Sequence, residues 1–380
     1  MSSMDYLDSH ATLVAELKRQ GFFRKATGRL MMEFAFHLAT FVLGIVIAVN
    51  ASNAWIWIGG VAISAIGATG ISTNTHTSAH FATSDYRWLN LFMAWIGYPI
   101  LGQFSISYWW KKHNTGHHRV PNVIGVDKDC DFMPLFAYCE GDIAGKGPAA
   151  RLYYKYQGAF LPILVLLHGF NIQTYDWRYL VRVLHDPQQR RLLHWMDVVG
   201  LSLHWVLWVI IPALFYPLLY VVLFHIVHRA MFGVAMFVMF APAHYPAEAI
   251  AVDQSELKKD PLLLQTAATV DFRTGFVGRL YCAGVEYQIE HHLFPAMSHT
   301  HYPHIAPVVE AFCRRHGYPY RTLGWGEALW KSYLTFWRPK PVRTDLEAHS
   351  VMLVSKRDTS GELRGTGYMS ALDQGPRISQ

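Results

Sequence analysis

Four long apolar runs constrain the fold of this chain more than any other feature. They cover residues 31–49, 54–72, 195–215 and 219–241, and each is long enough to cross the hydrocarbon core of a bilayer as a helix. An uncharged turn at 50–53 joins the first two runs, and a turn near Pro217 joins the last two. We therefore expect an all-α integral membrane protein whose four transmembrane helices form two hairpins.

The charge pattern predicts how the chain is oriented. Basic residues precede the first apolar run and predict a cytoplasmic N-terminus: Lys18, Arg19, Arg24, Lys25 and Arg29. The net charge of +6 and the mean hydropathy of +0.14 fit a few spanning helices joined to a large polar part. No basic face with interleaved stacking aromatic residues is present outside the apolar runs, so nucleic-acid binding is not expected.

The N-terminus and the cysteines agree with that orientation. The first 30 residues contain no early apolar core, so we expect no signal peptide. The four cysteines form no CxxC pair and are expected to be reduced thiols on the cytoplasmic side.

Histidine clusters lie just beyond the apolar runs. The first cluster is HTSAH, the second is HNTGHH and the third is QIEHH. With 21 histidines in 380 residues, about one HxxxH pair but only about 0.06 HxxxHH triplets are expected by chance. The second and third clusters therefore carry most of the signal. Imidazole is a common ligand of iron, copper, zinc and nickel, so the clusters predict a metal site.

The spacing within the clusters predicts more than one metal ion. Residues four apart lie on one face of a helix, so His76 and His80 can point at one site, as can His113 and His117. Adjacent residues diverge by about 100° on a helix, so a histidine pair suits two different ions. The pairs His117–His118 and 291–292 therefore predict a dinuclear centre.

Residues 88–110 are long enough to cross a membrane but contain Gly97, Pro99 and Gly102. A crossing would place the first and second clusters on opposite sides, where they could not share a metal. We therefore expect re-entrant or interfacial helices here. The apolar run at 159–170 is too short to span and is expected to be interfacial as well.

The rest of the chain divides simply. Residues 1–30 are a polar, partly helical lead-in, and 31–345 are the membrane domain, whose part after residue 244 is mixed polar and carries the third cluster. Residues 346–380 have the composition of a disordered tail. With the clusters on one side of the membrane, we expect a cytosolic, histidine-rich cap that holds the dinuclear site.

The clusters, in the order HxxxH, HxxxHH and QxxHH, resemble those of the membrane fatty acid desaturases. The similarity extends through the surrounding segments WWKKHNTGHHRVPNVIGVDKDCDFMP and GVEYQIEHHLFPAMSHTHYPHIAPVVEAFCRRHGYPY, and covers roughly residues 30–325. The Gln that begins the third cluster is similar to that of the front-end subgroup and its bacterial relatives.

The resemblance implies two irons held by histidines, with O2 as co-substrate and a fatty acyl chain as substrate. The positions that match the family's metal ligands are His76, His80, His113, His117, His118, His244, His291 and His292. Gln288 is implied as a direct or water-mediated ligand. The resemblance also implies an integral protein of a bacterial inner membrane, with both termini and the catalytic face in the cytoplasm.

A nitrogen-only ligand set leaves the ions highly charged, so carboxylates that orient the histidines are expected to matter. The candidates are Asp127, Asp129, Glu286 and Glu290. Two positions depart from the family pattern: Thr77 stands where an acidic residue usually follows the first histidine, and Glu286 where Asn often precedes Tyr–Gln. The sequence has no HPGG haem motif, so we expect a separate electron donor of the ferredoxin or cytochrome b5 type.

Alternatives remain open at this point. A hydroxylase, ketolase or acetylenase on the same scaffold would share the histidine clusters. A non-enzymatic metal carrier or sensor is a further alternative, although a carrier would line a path across the bilayer with polar groups. His299, His301 and His304 form a second dense patch, but the resemblance implies ordinary helix-start residues there.

Overall fold

The computed structural model describes residues 3–258 and 260–346. Helices dominate these residues. The α-helices, in chain order, are α1 (Ser3–Arg19), α2 (Thr27–Val49), α3 (Ala54–Ala79), α4 (Arg87–Trp95), α5 (Ile106–Trp109), α6 (Glu140–Ile143), α7 (Pro148–Lys155), α8 (Gln157–His185), α9 (Leu192–Trp205), α10 (Ile211–Ala213), α11 (Leu218–His244), α12 (Pro261–Ala267), α13 (Phe276–Cys282), α14 (Gln288–Leu293), α15 (Tyr302–His316) and α16 (Trp325–Thr335).

Four helical units are long and apolar enough to cross a membrane: α2, α3, the unit Leu192–Ala213 that contains α9 and α10, and α11. This confirms the prediction of four helical segments that are long and apolar enough to span a membrane. Helix α3 continues seven residues past the predicted end of its apolar run, and α11 continues to His244. The histidines that follow these two runs are therefore carried on the spanning helices themselves or directly after them.

Helices α2 and α3 pack closely as antiparallel neighbours. The side chain of Asn53 begins α3 by accepting hydrogen bonds from the backbone N–H groups of Trp55 and Ile56, both at 3.0 Å. A Cβ atom on Gly44 would lie 2.2 Å from the backbone nitrogen of Ser64, so only glycine allows this approach of the two backbones. Small residues at such contacts are typical of helix pairs in membranes.

The apolar run at 88–110, which was expected to be re-entrant or interfacial, lies in two helical segments. These segments, Arg87–Gly102 and Ile106–Arg119, are bent by 110° relative to each other. Buried side chains bind the backbone at the bend. The carboxylate of Asp176 accepts from the N–H of Ser105 at 2.8 Å, and the guanidinium of Arg229 donates to the carbonyl of Gly102 at 3.0 Å. An apolar environment offers the broken helix no other partners, so these bonds stabilise the bend.

Helix α8 is longer than the sequence indicated. The apolar run at 159–170 lies within this helix, which continues through more polar residues to His185 and is not among the units apolar enough to span. It packs tightly against α11, where a Cβ atom on Gly169 would lie 2.5 Å from the carbonyl oxygen of Arg229.

The residues after α11 form mostly short elements. Two short parallel strand pairs, which the sequence did not predict, connect distant parts of this segment: β1 (Ala251–Val252) pairs with β4 (Val342–Arg343), and β2 (Asp271–Arg273) with β3 (Thr322–Gly324). Leu13 and Leu17 of α1 are buried in one hydrophobic cluster with residues of α12, α14 and α15, so the N-terminal lead-in packs against the residues that follow α11. Of the tail predicted at 346–380, residues 347–380 lie outside the described residues.

Candidate metal centre

The predicted histidines converge on one region although they come from four distant segments. His76 and His80 lie at the end of α3, and His244 is the last residue of α11. The second cluster occupies a π-helical turn, Trp110–Asn114, and the following 3-10 turn, His117–Arg119. The third cluster lies on α14, in which every residue from Gln288 to His292 is buried.

Five imidazoles form the first group, which we call the five-histidine group. One ring nitrogen from each lies within 4.8 Å of those of the others; the members are His76, His80, His113, His118 and His291. The Nε2 atom of His113 is 2.9 Å from that of His76 and 3.1 Å from that of His118. The Nε2 atom of His291 is 3.0 Å from that of His118.

Three further imidazoles, those of His117, His244 and His292, form the three-histidine group, again with ring nitrogens within 4.8 Å of one another. The Nε2 atoms of His117 and His244 are 3.2 Å apart. The amide of Gln288 lies 2.8 Å from His244 Nε2, and its carbonyl oxygen has no hydrogen-bond partner. Rotation of the amide by 180° would present that oxygen to the group instead of the nitrogen.

Each adjacent histidine pair is divided between the two groups. His118 and His291 belong to the five-histidine group, whereas His117 and His292 belong to the three-histidine group. This is the divergence that helical spacing requires of neighbouring side chains. The sequence left open which histidine serves which ion, and the structure sorts them into two sets.

The two groups fit metal ions by distance and by chemistry. Imidazole nitrogens about 2.1 Å from one ion with octahedral geometry are about 3.0 Å from each other, close to the separations found here. The Nε2 atoms of His80 and His292 are buried without a hydrogen-bond partner, so they are free for another ligand. Burial lowers the pKa of His291 and His292 well below the ordinary value, which keeps them in the neutral form that binds metal.

Hydrogen bonds to Nδ1, on the opposite side of the ring from the candidate ligand Nε2, orient three of these imidazoles. The Asp127 carboxylate accepts from His117 Nδ1 at 2.9 Å. Gln265 Oε1 lies 2.7 Å from His292 Nδ1, and the Tyr302 hydroxyl lies 3.4 Å from His291 Nδ1. Such contacts fix the tautomer, so that Nε2 is left to face the metal position.

The four candidate carboxylates behave differently from one another. Asp127 contacts a predicted ligand directly, and Asp129 lies 3.7 Å from Nδ1 of both His113 and His117 while it pairs with Lys112 at 2.5 Å. Among the described residues, Glu286 and Glu290 form no hydrogen bond to a histidine, which corrects the expectation for both.

Glu286 and Glu290 support the fold of the third cluster instead. Glu286 accepts from the N–H of Gly284 at 3.0 Å, and Glu290 accepts from the hydroxyl of Tyr320 at 2.8 Å. Their side chains leave the backbone of this region in directions other than those of His291 and His292, so proximity in sequence did not place them beside the metal groups.

Three residues to which the sequence assigned no role at the site donate hydrogen bonds to the backbone of His244. Its carbonyl oxygen accepts from the Asn122 amide at 3.1 Å, the Tyr138 hydroxyl at 2.9 Å and the Lys340 ammonium at 2.9 Å. Lys340 is only 3% exposed. Burial lowers the pKa of Lys340 to about 7, and its side-chain nitrogen donates to a carbonyl at the C-terminus of α11, the negative end of the helix dipole. Neither spacing nor composition in the sequence signals these contacts.

A family model described as fatty acid desaturase matches residues 52–324. The chain belongs to the fatty acid desaturase family. The match begins after α2, includes all of the predicted metal ligands and ends before Lys340.

Curated relatives of this desaturase-family chain span algae, plants and bacteria. The Delta(8)-fatty-acid desaturase of Euglena gracilis is 30% identical over 258 residues, which are 65% of this chain and 59% of that protein. The acyl-lipid (9-3)-desaturase of Physcomitrium patens is 29% identical over 65% of this chain and 46% of its own length. The sn-1 linoleoyl-lipid 6-desaturase of Arthrospira platensis is 27% identical over 70% of this chain and 73% of its own length.

Proposed function

We propose that this protein is an O2-dependent desaturase that introduces a cis double bond into a fatty acyl chain. The observation that carries the proposal is the convergence of eight buried or nearly buried histidines into two groups beside the ends of apolar helices. When bound, two iron ions would supply the activation of O2 that removal of hydrogen from an unactivated CH2 group needs, since protein side chains provide no such oxidant.

The chain's own residues hold and shape that centre. The five-histidine and three-histidine groups would each hold one iron, with Gln288 next to the second. Asp127, Gln265 and Tyr302 keep their histidines in the tautomer that presents Nε2. The buried bend and the spanning helices exclude water from the apolar side of the site, where an acyl chain would lie.

The layout that we propose has two helical hairpins with the termini, the cap and both metal groups on the cytoplasmic side. The bent pair of segments would be re-entrant, because it returns the second cluster to within 2.9 Å of the first. The substrate would be an acyl chain carried by a lipid, CoA or a carrier protein. The names of the relatives support front-end regiochemistry. Two electrons per turnover would come from a separate ferredoxin or cytochrome b5 type donor.

The test is expression in a host of known fatty acid composition, followed by gas chromatography–mass spectrometry of its lipids. The wild-type chain is expected to produce an unsaturated acid that the host lacks, and His118→Ala is expected to abolish it. His304→Gln, an exposed histidine outside both groups, serves as the control and is expected to retain the product. Hydroxylated acids without a new double bond would refute the desaturase reaction.

A further inference from the structure

His299 connects three segments that the sequence does not join. Its Nε2 atom lies 2.9 Å from Glu33 Oε2 on α2, and its Nδ1 atom lies 2.7 Å from Thr77 Oγ1 on α3. The Glu33 carboxylate also pairs with Arg29 at 3.0 Å, one turn earlier on α2. From sequence His299 is expected to be an ordinary helix-start residue, whereas in the structure its side chain is 8% exposed and bonded at both nitrogens.

The two partners determine which ring nitrogen of His299 carries the hydrogen. A carboxylate only accepts hydrogen bonds, so a neutral His299 donates from Nε2 to Glu33 and leaves Nδ1 as an acceptor for the Thr77 hydroxyl. The Thr77 hydroxyl donates to that nitrogen, so the two hydrogen bonds run in one direction, from Thr77 through His299 to Glu33.

Thr77 follows His76 directly on α3, so its side chain leaves the helix about 100° away from that of the histidine. Thr73, four residues earlier and on the same face, donates from its hydroxyl to the carbonyl of Tyr281 at 2.6 Å. Thr73 and Thr77, one turn apart on α3, are thus bonded to residues that follow α11, and His76 and His80 lie within about 100° of them around the helix axis. A bond on that face limits rotation of the helix and therefore sets the direction of the two histidines.

The loop before the third cluster is built to admit His299. Gly284 has a φ of +91°, a conformation that favours glycine, and a Cβ atom there would lie 2.4 Å from the Cβ of His299. The preceding residue, Ser298, accepts from the N–H of Ala26 at 3.1 Å and donates to the carbonyl of Ala82 at 2.5 Å. Residues 298–299 therefore tie the start of α2 and the end of α3 to the loop that leads into α14.

We propose that Glu33, His299 and Thr77 form a positioning chain that fixes the end of α3 and so holds His76 and His80 in the five-histidine group. The inference rests on the proposed metal-binding function. It assigns to these residues no contact with substrate or metal; they act through the histidines that they orient. Loss of the Thr77 hydroxyl should therefore loosen metal in the five-histidine group while the apoprotein still folds.

The experiment compares iron release to a chelator from the purified, iron-loaded protein and its variants, together with iron X-ray absorption spectra. Thr77→Val is expected to accelerate release of one of two irons by about 10-fold or more and to change the spectrum, as is typical when a contact that orients a metal ligand is lost. Thr77→Ser, which keeps the hydroxyl, is expected to restore the wild-type release rate. His304→Gln, an exposed position on α15 close to His299 in sequence, is the control and should have no effect.

A double variant distinguishes one positioning chain from two substitutions that act independently. Thr77→Val with His299→Gln should release iron no faster than the more affected single variant, because both changes break the same chain. Wild-type release from Thr77→Val, or equally fast release from Thr77→Ser, would overturn the positioning chain while leaving the proposed function intact. A wild-type protein that binds no iron would overturn the proposed function and this inference together. If His299→Gln does not accumulate, the Thr77 pair decides alone.

Discussion

Asp127 offers the sharpest single test of how the metal groups are supported. The residue is 1% exposed, and its carboxylate accepts three hydrogen bonds from nitrogen donors and a longer one from the Cys130 thiol at 3.7 Å. His117 Nδ1 and the N–H of Asn122 donate to Oδ2 at 2.9 and 2.8 Å, and the N–H of Asp129 donates to Oδ1 at 2.9 Å. All three partners are donors, so only a group with two accepting oxygens satisfies them. We expect Asp127→Asn to be strongly disruptive despite its equal size.

The magnitude follows from these contacts. In its better orientation, the amide of the Asp127→Asn variant keeps its oxygen toward two donors and turns its NH2 group toward the third, so one bond is lost and two lose their charge. Hydrogen bonds to charged groups contribute about 1.5–3 kcal/mol each, and an unsatisfied buried group costs about 1–3 kcal/mol. We expect the apoprotein to lose about 2–3 kcal/mol of stability. Metal affinity should fall by about 10–100-fold, since His117 loses the anion that orients it.

Two measurements on purified protein test this expectation: denaturant unfolding of the apoprotein, and competition for iron against a chelator. Asp131→Asn is the matched control, because that nearby carboxylate is exposed and pairs with Lys128 at 2.8 Å in a surface ion pair. The control should change stability by less than about 1 kcal/mol and leave iron binding unchanged. Equal effects of the two substitutions would refute the assignment of Asp127 as the residue that orients His117.

Further predictions address the bend, the C-terminal segment and the buried carboxyls. Asp197→Ala removes the acceptor for three donors at the bend, at 2.5–2.9 Å, and should lower the unfolding temperature in detergent far more than Asp186→Ala on the exposed loop. Lys340→Met should weaken iron retention by the three-histidine group, whereas Lys331→Met should not; equal retention would exclude support of His244 by Lys340. Burial, with the neighbouring Asp271, raises the pKa of Glu290 well above its ordinary value. The folded apoprotein therefore keeps a proton that the unfolded chain releases, and its stability falls as the pH rises; Glu290→Gln should lose less stability between about pH 6 and about pH 9.

The parts of this protein that local pattern determines could be predicted from sequence. The four spanning segments follow from apolar length, and the sorting of His117 from His118 follows from the angle between adjacent residues on a helix. The glycines and proline at 97–102, together with the need to unite the histidine clusters, indicated a break where the structure bends by 110°.

The parts that depend on contacts between distant segments were beyond the sequence. Gln265 reaches His292 across 27 residues, and Lys340 reaches the carbonyl of His244 across 96 residues. Glu290, beside His291 in sequence, was one of four candidate partners for histidine, but its side chain extends to Tyr320 instead. The strand pairs β1–β4 and β2–β3 have only two or three residues each, too few to show an alternating pattern.

Iron content of the purified protein tests the central claim most directly, because the claim is that two histidine groups each hold one ion. The wild-type chain is expected to contain two irons, and His292→Ala, which removes one of three ligands from the smaller group, is expected to contain one. His304→Gln should retain both. A wild-type protein without iron, or a His292→Ala variant that keeps two, would contradict the assignment of a dinuclear iron centre to these histidines.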